Sequence, residues 1–240
     1  MVEDAVRGRR QYVIGNHNLH SLYLLSRQPR MRGFYEQADY VHVDGMPLVL
    51  LGRLLGMQLE RKHRTGYMDL LPRLLENACS KGWRIFYLGS KPEVVEKGSD
   101  ILRAQYPALT LKSFHGYFDT QPGCPNNKSV LAQINEFAPH VLLVGMGMPR
   151  QETWILQNRE HLRANAIFCC GALMDYVAGE IPTPPRWLGQ IGLEWLYRLA
   201  AEPGRLWRRY LVEPWFVLGF LFAEIQMMKT ANGEKSQSWG

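Results

Sequence analysis

The chain is short of cysteine, and its four, Cys79, Cys124, Cys169 and Cys170, show neither a CxxC pair nor any spacing typical of metal ligands. That excludes a disulfide-stapled scaffold and a zinc ribbon. Adjacent Cys169 and Cys170 lie in an apolar run, which fits buried free thiols in a reducing compartment. Seven histidines form no ligand pair at helical spacing, and no acidic cluster suggests a divalent cation. Long apolar runs are absent too. The longest, Pro214 to Ala223, is bracketed by Glu213 and Glu224 and falls well below the roughly 20 residues needed to cross a bilayer. The first residues, with Glu3, Asp4, Arg7, Arg9 and Arg10, have no apolar core and do not read as a signal peptide. No internal repeat is visible.

What remains is the composition of a globular protein. A hydrophobic fraction of 46% against 21% charged excludes a disordered chain. Its 240 residues suffice for one sizeable core and an appendage. The net charge of +6 favours anionic partners without choosing among nucleotide, nucleic acid and anionic lipid.

Short β-rich runs alternate with segments of helical apolar spacing. Strands are expected at Gln11–Gly15, Tyr40–Val43, Arg84–Leu88, Leu109–Phe114, Val141–Val144 and Ala166–Cys170. Helices are expected at Leu19–Ser26, Leu48–Leu55, Asp69–Ser80, Glu93–Gln105 and Lys128–Phe137, and from about Gln151. This alternation predicts an α/β, Rossmann-like domain on a largely parallel sheet, with ligands beyond the carboxyl ends of the strands. Asp44, Gly89, Gly145 and Gly171 fall at such ends. Pro182, Pro184 and Pro185 mark a boundary, dividing a core over 1–182 from a helical appendage over 183–240. In the appendage Leu188–Ala201 reads as helix, and Pro203 opens a second one through Arg205 to Tyr210.

Asp44, between an apolar strand and Gly45, is placed either as a general base in a cleft or as a turn or helix-capping carboxylate. Asn16 and Asn18 after the first strand either orient a polar ligand or cap the next helix. Gly145-Met146-Gly147 is half of a dinucleotide fingerprint and lacks the third glycine. Its mechanical meaning is a close backbone approach, with the next helix and Gln151 at the mouth. Arg198, Arg205 and Arg208 are seven and three residues apart, which puts three guanidinium groups on one side of a helical path. They form either a phosphate grip or a solvated basic face that snorkels over apolar surface.

In combination, the motifs resemble the WecG/TagA/CpsF glycosyltransferases (glycosyltransferase family 26), from about Val13 to Tyr210. They are Ala38-Asp39-Tyr40 with Asp44-Gly45-Met46, Arg64-Thr65-Gly66-Tyr67-Met68-Asp69-Leu70, Phe86 to Pro92, Gly116-Tyr117-Phe118, Gly145 to Glu152, and Gly192 to Leu199 with Glu202-Pro203 and Arg205. The resemblance implies metal-independent, inverting transfer of a hexose or N-acetylhexosamine-type sugar, with no cofactor. The donor is a UDP-sugar and the acceptor a polyprenyl-diphosphate-linked saccharide of exopolysaccharide or cell-envelope synthesis. It implies a peripheral enzyme on the cytoplasmic face of the bacterial inner membrane, without nucleic acid, whose apolar tail favours association of copies when undocked.

Asp44 is implied as the base. Asn16, Asn18, Thr65, Gly89, Gly145, Gly147, Gln151, Arg198, Arg205 and Arg208 are implied as substrate-binding, the arginines holding the diphosphate. Trp207, Trp215, Phe216, Phe220 and Phe222 are expected to face lipid, so that docking the tail would bring the arginines over the pocket. Asn16-His17-Asn18 departs from the family's Thr-x-Asn, and the chain before Val13 is short. Glu3–Arg10 is either a remnant helix or marks a missing edge strand. The competing reading is a non-catalytic module that binds membrane or nucleic acid.

Overall fold

In the computed structural model, residues 1–185, 188, 193–219 and 222 are described. Helix α1 (Val2–Arg7) leads into β1 (Tyr12–His17), α2 (Leu19–Arg27), α3 (Pro29–Gln37), β2 (Tyr40–Val43) and α4 (Met46–Leu54). After a 3₁₀ turn at Arg61–His63 come α5 (Tyr67–Lys81), β3 (Arg84–Gly89), α6 (Pro92–Gln105), β4 (Thr110–Phe114) and α7 (Pro125–Phe137). Then follow β5 (Val141–Gly145), α8 (Arg150–Asn158), β6 (Ala166–Cys169), α9 (Leu173–Val177), α10 (Glu194–Ala201) and α11 (Pro203–Trp207). A π-helical turn at Arg208–Val212 continues into a helical stretch at 213–219.

The six strands form one sheet in the order β2-β1-β6-β5-β3-β4, and every pairing is parallel. The Rossmann-like expectation is met. Alternation along the strands supplies both faces with apolar side chains. Ile85 and Tyr87 of β3 point with Leu143 and Phe168 toward α5, α6 and α9, where Leu75, Leu102 and Met174 wait. Phe86 and Leu88 point the other way with Val144 and Ile167, against Phe34 of α3, Ile134 of α7 and Trp154 of α8. Trp154 is fully buried, and its indole N–H donates to Asn127 Oδ1 at 2.8 Å, so it carries no orphaned donor into the core.

Elements with strong periodicity fall where expected. The exceptions are instructive. Helix α3 was not foreseen, because PRMRGFYEQ buries only Met31 and Phe34. A Cβ on its Gly33 would stand in ordinary contact, 3.8 Å, with Leu156 of α8. Of the segment Glu3–Arg10, residues through Arg7 are helical, with Ala5 buried and Val2 and Val6 against the core. Helix therefore describes that part of the segment. Strand β2 is the sheet edge on that side, with Tyr40 and Val41 exposed.

Of the two C-terminal helices, the first is shorter than its spacing predicted among the described residues, and the second starts at Pro203 as expected and runs on past Tyr210 to residue 219. Of Leu188–Ala201, Glu194–Ala201 is helix, and Gly192 and the rest of 189–192 lie outside the described residues. Glu202, at φ −134° and ψ 61°, interrupts the helix before Pro203 starts the next. No helix among the described residues is long and apolar enough to cross a membrane.

Candidate active site

A cavity of about 270 Å³ opens beyond the carboxyl ends of β1 and β2. Its walls are Asn18, Leu19 and His20 from the start of α2, and Asp44 to Leu48 from the end of β2 and the start of α4. Arg64 closes one side, and Glu194, Trp195, Arg198, Arg209, Tyr210 and Pro214 cover it from the C-terminal segment.

Backbone pairing fixes this arrangement. The Asp44 amide donates to His17 O at 2.8 Å, which carries the β1–β2 register one residue past the strand. Gly45, at φ +108°, then turns the chain into α4, a conformation that disfavours any residue with a Cβ. Val43 also bridges Arg64, and its carbonyl accepts from the Thr65 amide at 2.8 Å. The Arg64-Thr65-Gly66 loop is thereby laid beside Asp44. A Cβ on Gly66 would lie 3.4 Å from Asp69 Oδ2, 3.6 Å from Arg64 Nη2 and 3.9 Å from Asp44 Oδ1. Two carboxylates and a guanidinium thus converge on a glycine that leaves them room.

Charge is arranged around Glu194. One of its oxygens pairs with Arg64 Nη2 at 2.8 Å and the other with Arg198 Nη2 at 2.7 Å. The Arg198 guanidinium also stands 5.3 Å from the Tyr176 ring centroid. Burial works against its charge, but Tyr176, Glu194, Tyr210 and Asp44 together raise its pKa above the ordinary guanidinium value. Arg198 Nε is buried and has no hydrogen-bond partner among the described residues. Arg64, Arg198 and Arg209 face Asp44 and Glu194 across the cavity, so cations exceed carboxylates by one. Such a cleft draws an anion.

The covering segment is held by α2. His20 Nδ1 meets Glu213 Oε2 at 2.7 Å, the Tyr23 and Phe216 rings lie 6.0 Å apart edge-on, and Arg27 stacks over both. Leu206 and Val217 are buried beneath it. The segment therefore already sits over the cavity. The expectation that docking on a bilayer brings the arginines there finds Arg198 in place beforehand.

The model of the glycosyl transferase WecG/TagA/CpsF family matches residues 1–230. The chain belongs to this glycosyl transferase family. Curated relatives include the N-acetylglucosaminyldiphosphoundecaprenol N-acetyl-beta-D-mannosaminyltransferases of Staphylococcus aureus strains NCTC 8325 / PS 47 and COL. Each is 26% identical over 203 residues, which cover 80% of this chain and 77% of the relative. Membership in the WecG/TagA/CpsF family makes the protein a sugar-transferring enzyme and sets aside the non-catalytic binding module.

The residues expected to bind substrate in this glycosyl transferase divide into two groups. Asp44, Asn18 and Arg198 line the cavity. Asn18 is also the N-cap of α2, its Oδ1 accepting from the Ser21 amide at 3.1 Å, so the capping reading describes it while the residue lines the cavity as well. Asn16 is buried at the end of β1, its Oδ1 unpartnered among the described residues. Thr65 sits behind Asp44, its carbonyl 3.0 Å from His42 Nδ1. Burial lowers the pKa of His42, while the Asp44 charge and the Thr65 carbonyl oppose that shift. Burial lowers His17 to about 4, so this ring is neutral at pH 7.

Gly89, Gly145, Gly147 and Gln151 lie at the ends of β3 and β5 and do not line the cavity. The close approach that the glycines allow is between parts of the chain itself. A Cβ on Gly89 would strike Gly145, and one on Gly145 would strike the Tyr87 hydroxyl and the Gly171 carbonyl. Gly147 adopts φ +78°. Gln151 is fully buried; its Oε1 accepts from the amides of Gly147 (3.2 Å) and Gly171 (3.1 Å), and its Nε2 donates to Glu152 Oε1 (2.8 Å). It staples two strand ends together.

Among the arginines, Arg208 is exposed and it is Arg209 that lines the cavity. The break at Glu202 interrupts the helical path between Arg198 and Arg208, and a π-helical turn begins at Arg208. The Arg205 side chain and Phe220 lie outside the described residues. Arg64 and Glu194 were not singled out from sequence as site residues. Their signal was position: an arginine directly before Thr65-Gly66, and a glutamate four residues before Arg198 at ion-pairing distance on a helix. No group of three His, Cys, Asp or Glu among the described residues could hold a metal ion.

Proposed function

We propose that this glycosyl transferase moves a hexose or N-acetylhexosamine-type sugar, with inversion, from a UDP-sugar to a polyprenyl-diphosphate-linked saccharide of exopolysaccharide or cell-envelope polymer synthesis. The names of the relatives, which specify an undecaprenol-diphosphate acceptor and a mannosaminyl group, support the acceptor class. The observation that carries the reading is that the Asp44 carboxylate lines the same cavity as Arg64, Arg198 and Arg209.

Asp44 takes the proton from the acceptor hydroxyl. The oxygen attacks the anomeric carbon from the face opposite UDP, the bond to the phosphate oxygen breaks, and UDP departs with the electron pair. Departure builds negative charge on the diphosphate, and prearranged guanidinium groups stabilise it without reorganising. Asn18 and Thr65 support the same end of the sheet. Gln151, Gly89, Gly145 and Gly147 serve this reading by holding the neighbouring strand ends.

Residues 1–182 act as the catalytic core and 183–240 as a lid that also meets the membrane. Leu211, Trp215, Leu218 and Phe222 are all half-exposed or more, and their spacing of four, three and four places them along one helical stripe. Trp207 is 48% exposed and Phe216 47%. Aromatic rings with neighbouring arginines suit a lipid–water boundary on the cytoplasmic face of an inner membrane.

Asp44→Asn tests the mechanism. Turnover is expected to fall at least about 10³-fold, with UDP affinity by calorimetry unchanged; near-normal turnover would remove Asp44 as the base. A screen of UDP-sugars against a short-chain polyprenyl-diphosphate saccharide, read by mass spectrometry, identifies the donor.

A further inference from the structure

Among the described residues, the most exposed aliphatic side chain lies on the core and not in the C-terminal segment. Leu54, at the end of α4, is 84% exposed, and around it Leu50 is 52%, Leu55 44% and Met57 57% exposed. This turn has a place to hide apolar groups, at Gly52, which Leu59 takes and the Met57 sulfur only borders. Leu59 folds back onto Gly52, so closely that a Cβ there would collide with it. The other four remain outside. Isolated exposed leucines are ordinary, whereas four within eight residues at one helix end form a patch.

We propose that residues 50–57 are a second membrane foothold, built into the core and separate from the C-terminal segment, that seats the enzyme on an anionic phospholipid surface. Charge complementarity identifies the occupant. Arg53, Arg61 and Lys62 are exposed around the patch, with Glu60 as the carboxylate beside them, paired to Lys62 at 2.9 Å. Leucine and methionine ringed by excess cation match the boundary between acyl chains and anionic headgroups.

Position supports the same occupant. The first turn of α4 supplies Met46, Pro47 and Leu48 to the cavity wall, and Tyr210 and Pro214 of the C-terminal segment supply another part of it. Two apolar surfaces thus flank one cavity. Resting on the lipid-linked acceptor proposed above, the inference gives the acceptor's prenyl chain a way to stay in lipid while its saccharide reaches Asp44. One amphipathic segment gives weak, reversible binding, and two acting together hold far more firmly.

The test is vesicle partitioning of the full chain, read by co-sedimentation without donor or acceptor. Leu54→Glu with Met57→Glu should weaken binding to vesicles of equimolar phosphatidylglycerol and phosphatidylcholine at least tenfold. Circular dichroism and turnover on a water-soluble acceptor analogue should be unchanged. Leu54→Ser with Met57→Ser, which adds no charge, should weaken binding several-fold, separating lost apolar contact from repulsion. Unchanged partitioning of both pairs overturns the proposal. A parent dimer that becomes a monomer by light scattering, with partitioning unchanged, also overturns it and makes the face a contact between copies. Because partitioning needs no turnover, its failure leaves the reaction reading intact, and an inactive parent that still binds vesicles leaves this one intact.

Discussion

The same edge of the sheet is built in two opposite ways. At the ends of β3, β5 and β6 the chain closes on itself. Gly89, Gly145 and Gly171 bring strand ends into contact, Gln151 satisfies two amides across them, and the Tyr87 hydroxyl meets Ser90 Oγ, which donates to Asp175. At the ends of β1 and β2 the chain leaves a cavity, and what covers it is a separate segment tied down by the Arg64–Glu194 ion pair, the His20–Glu213 contact and ring contacts. Closed strand ends hold a shape, and open ones leave a cavity. Motifs of similar appearance, a glycine after an apolar strand, therefore serve different ends within one sheet.

The sharpest way to break this contrast is one substitution made in both places. Gly145→Ala drives a methyl into the Tyr87 hydroxyl and the Gly171 carbonyl and should cost about 3 kcal/mol, read as a lower urea midpoint. Gly66→Ala places its methyl at ordinary contact distances. It should leave the midpoint nearly unchanged while lowering turnover, since the methyl enters the space between Asp44 and Arg64. Equal stability losses in both would end the distinction.

The closed region also contains a pH-dependent element. Burial pushes the Glu152 carboxyl from 4.5 up to about 7, against hydrogen bonds that favour its charge, and its Oε2 has no partner among the described residues. The folded protein therefore binds the proton more tightly than the unfolded chain does. This contribution to stability is complete below about pH 4.5, declines as pH rises through about 7, and is flat above. Between pH 5 and 8 it should remove about 2 kcal/mol. Glu152→Gln should abolish that slope, and a denaturation series at both pH values checks it.

In the open region, Arg64→Ala should reduce turnover about tenfold, the loss of one charge-assisted contact. It should also quicken amide exchange across α10, because Glu194 loses one of its two anchors. Unchanged exchange would mean that the ion pair does not hold the lid.

Much of the fold was legible because periodicity and local breakers agreed. Strand β5 reads as an unbroken apolar run and is buried throughout, and α5 ends at Gly82, whose left-handed φ of 64° stops the helix where an amphipathic pattern also runs out. Helix α3 was illegible since only two side chains and a glycine contact define it. At the site, Asp44 was legible from its place after a strand. The arginines were half legible: Arg198 sits in a regular helix, whereas Arg209, which lines the cavity, lies in a π-helical turn outside the spacing that singled out Arg208. Gln151 shows the reverse case, a residue whose motif implied the pocket and whose hydrogen bonds place it in the wall between strands. Sequence pattern locates a motif in the fold, and packing decides which atoms of it a ligand can reach.

The carboxylate of Glu194 has one more consequence. Two guanidinium groups left bare in a cleft would scavenge inorganic phosphate or any stray polyanion in the cell. With a tethered carboxylate seated on both, a newcomer has to displace an occupant that never diffuses away. A lone phosphate can engage only part of that seat, whereas a diphosphate carries two anionic centres and can take over both arginines together. If the diphosphate of the proposed donor binds here, the resting pocket acts as an ion exchanger with its own tethered counter-ion, and the valence of the incoming group is the first thing it measures.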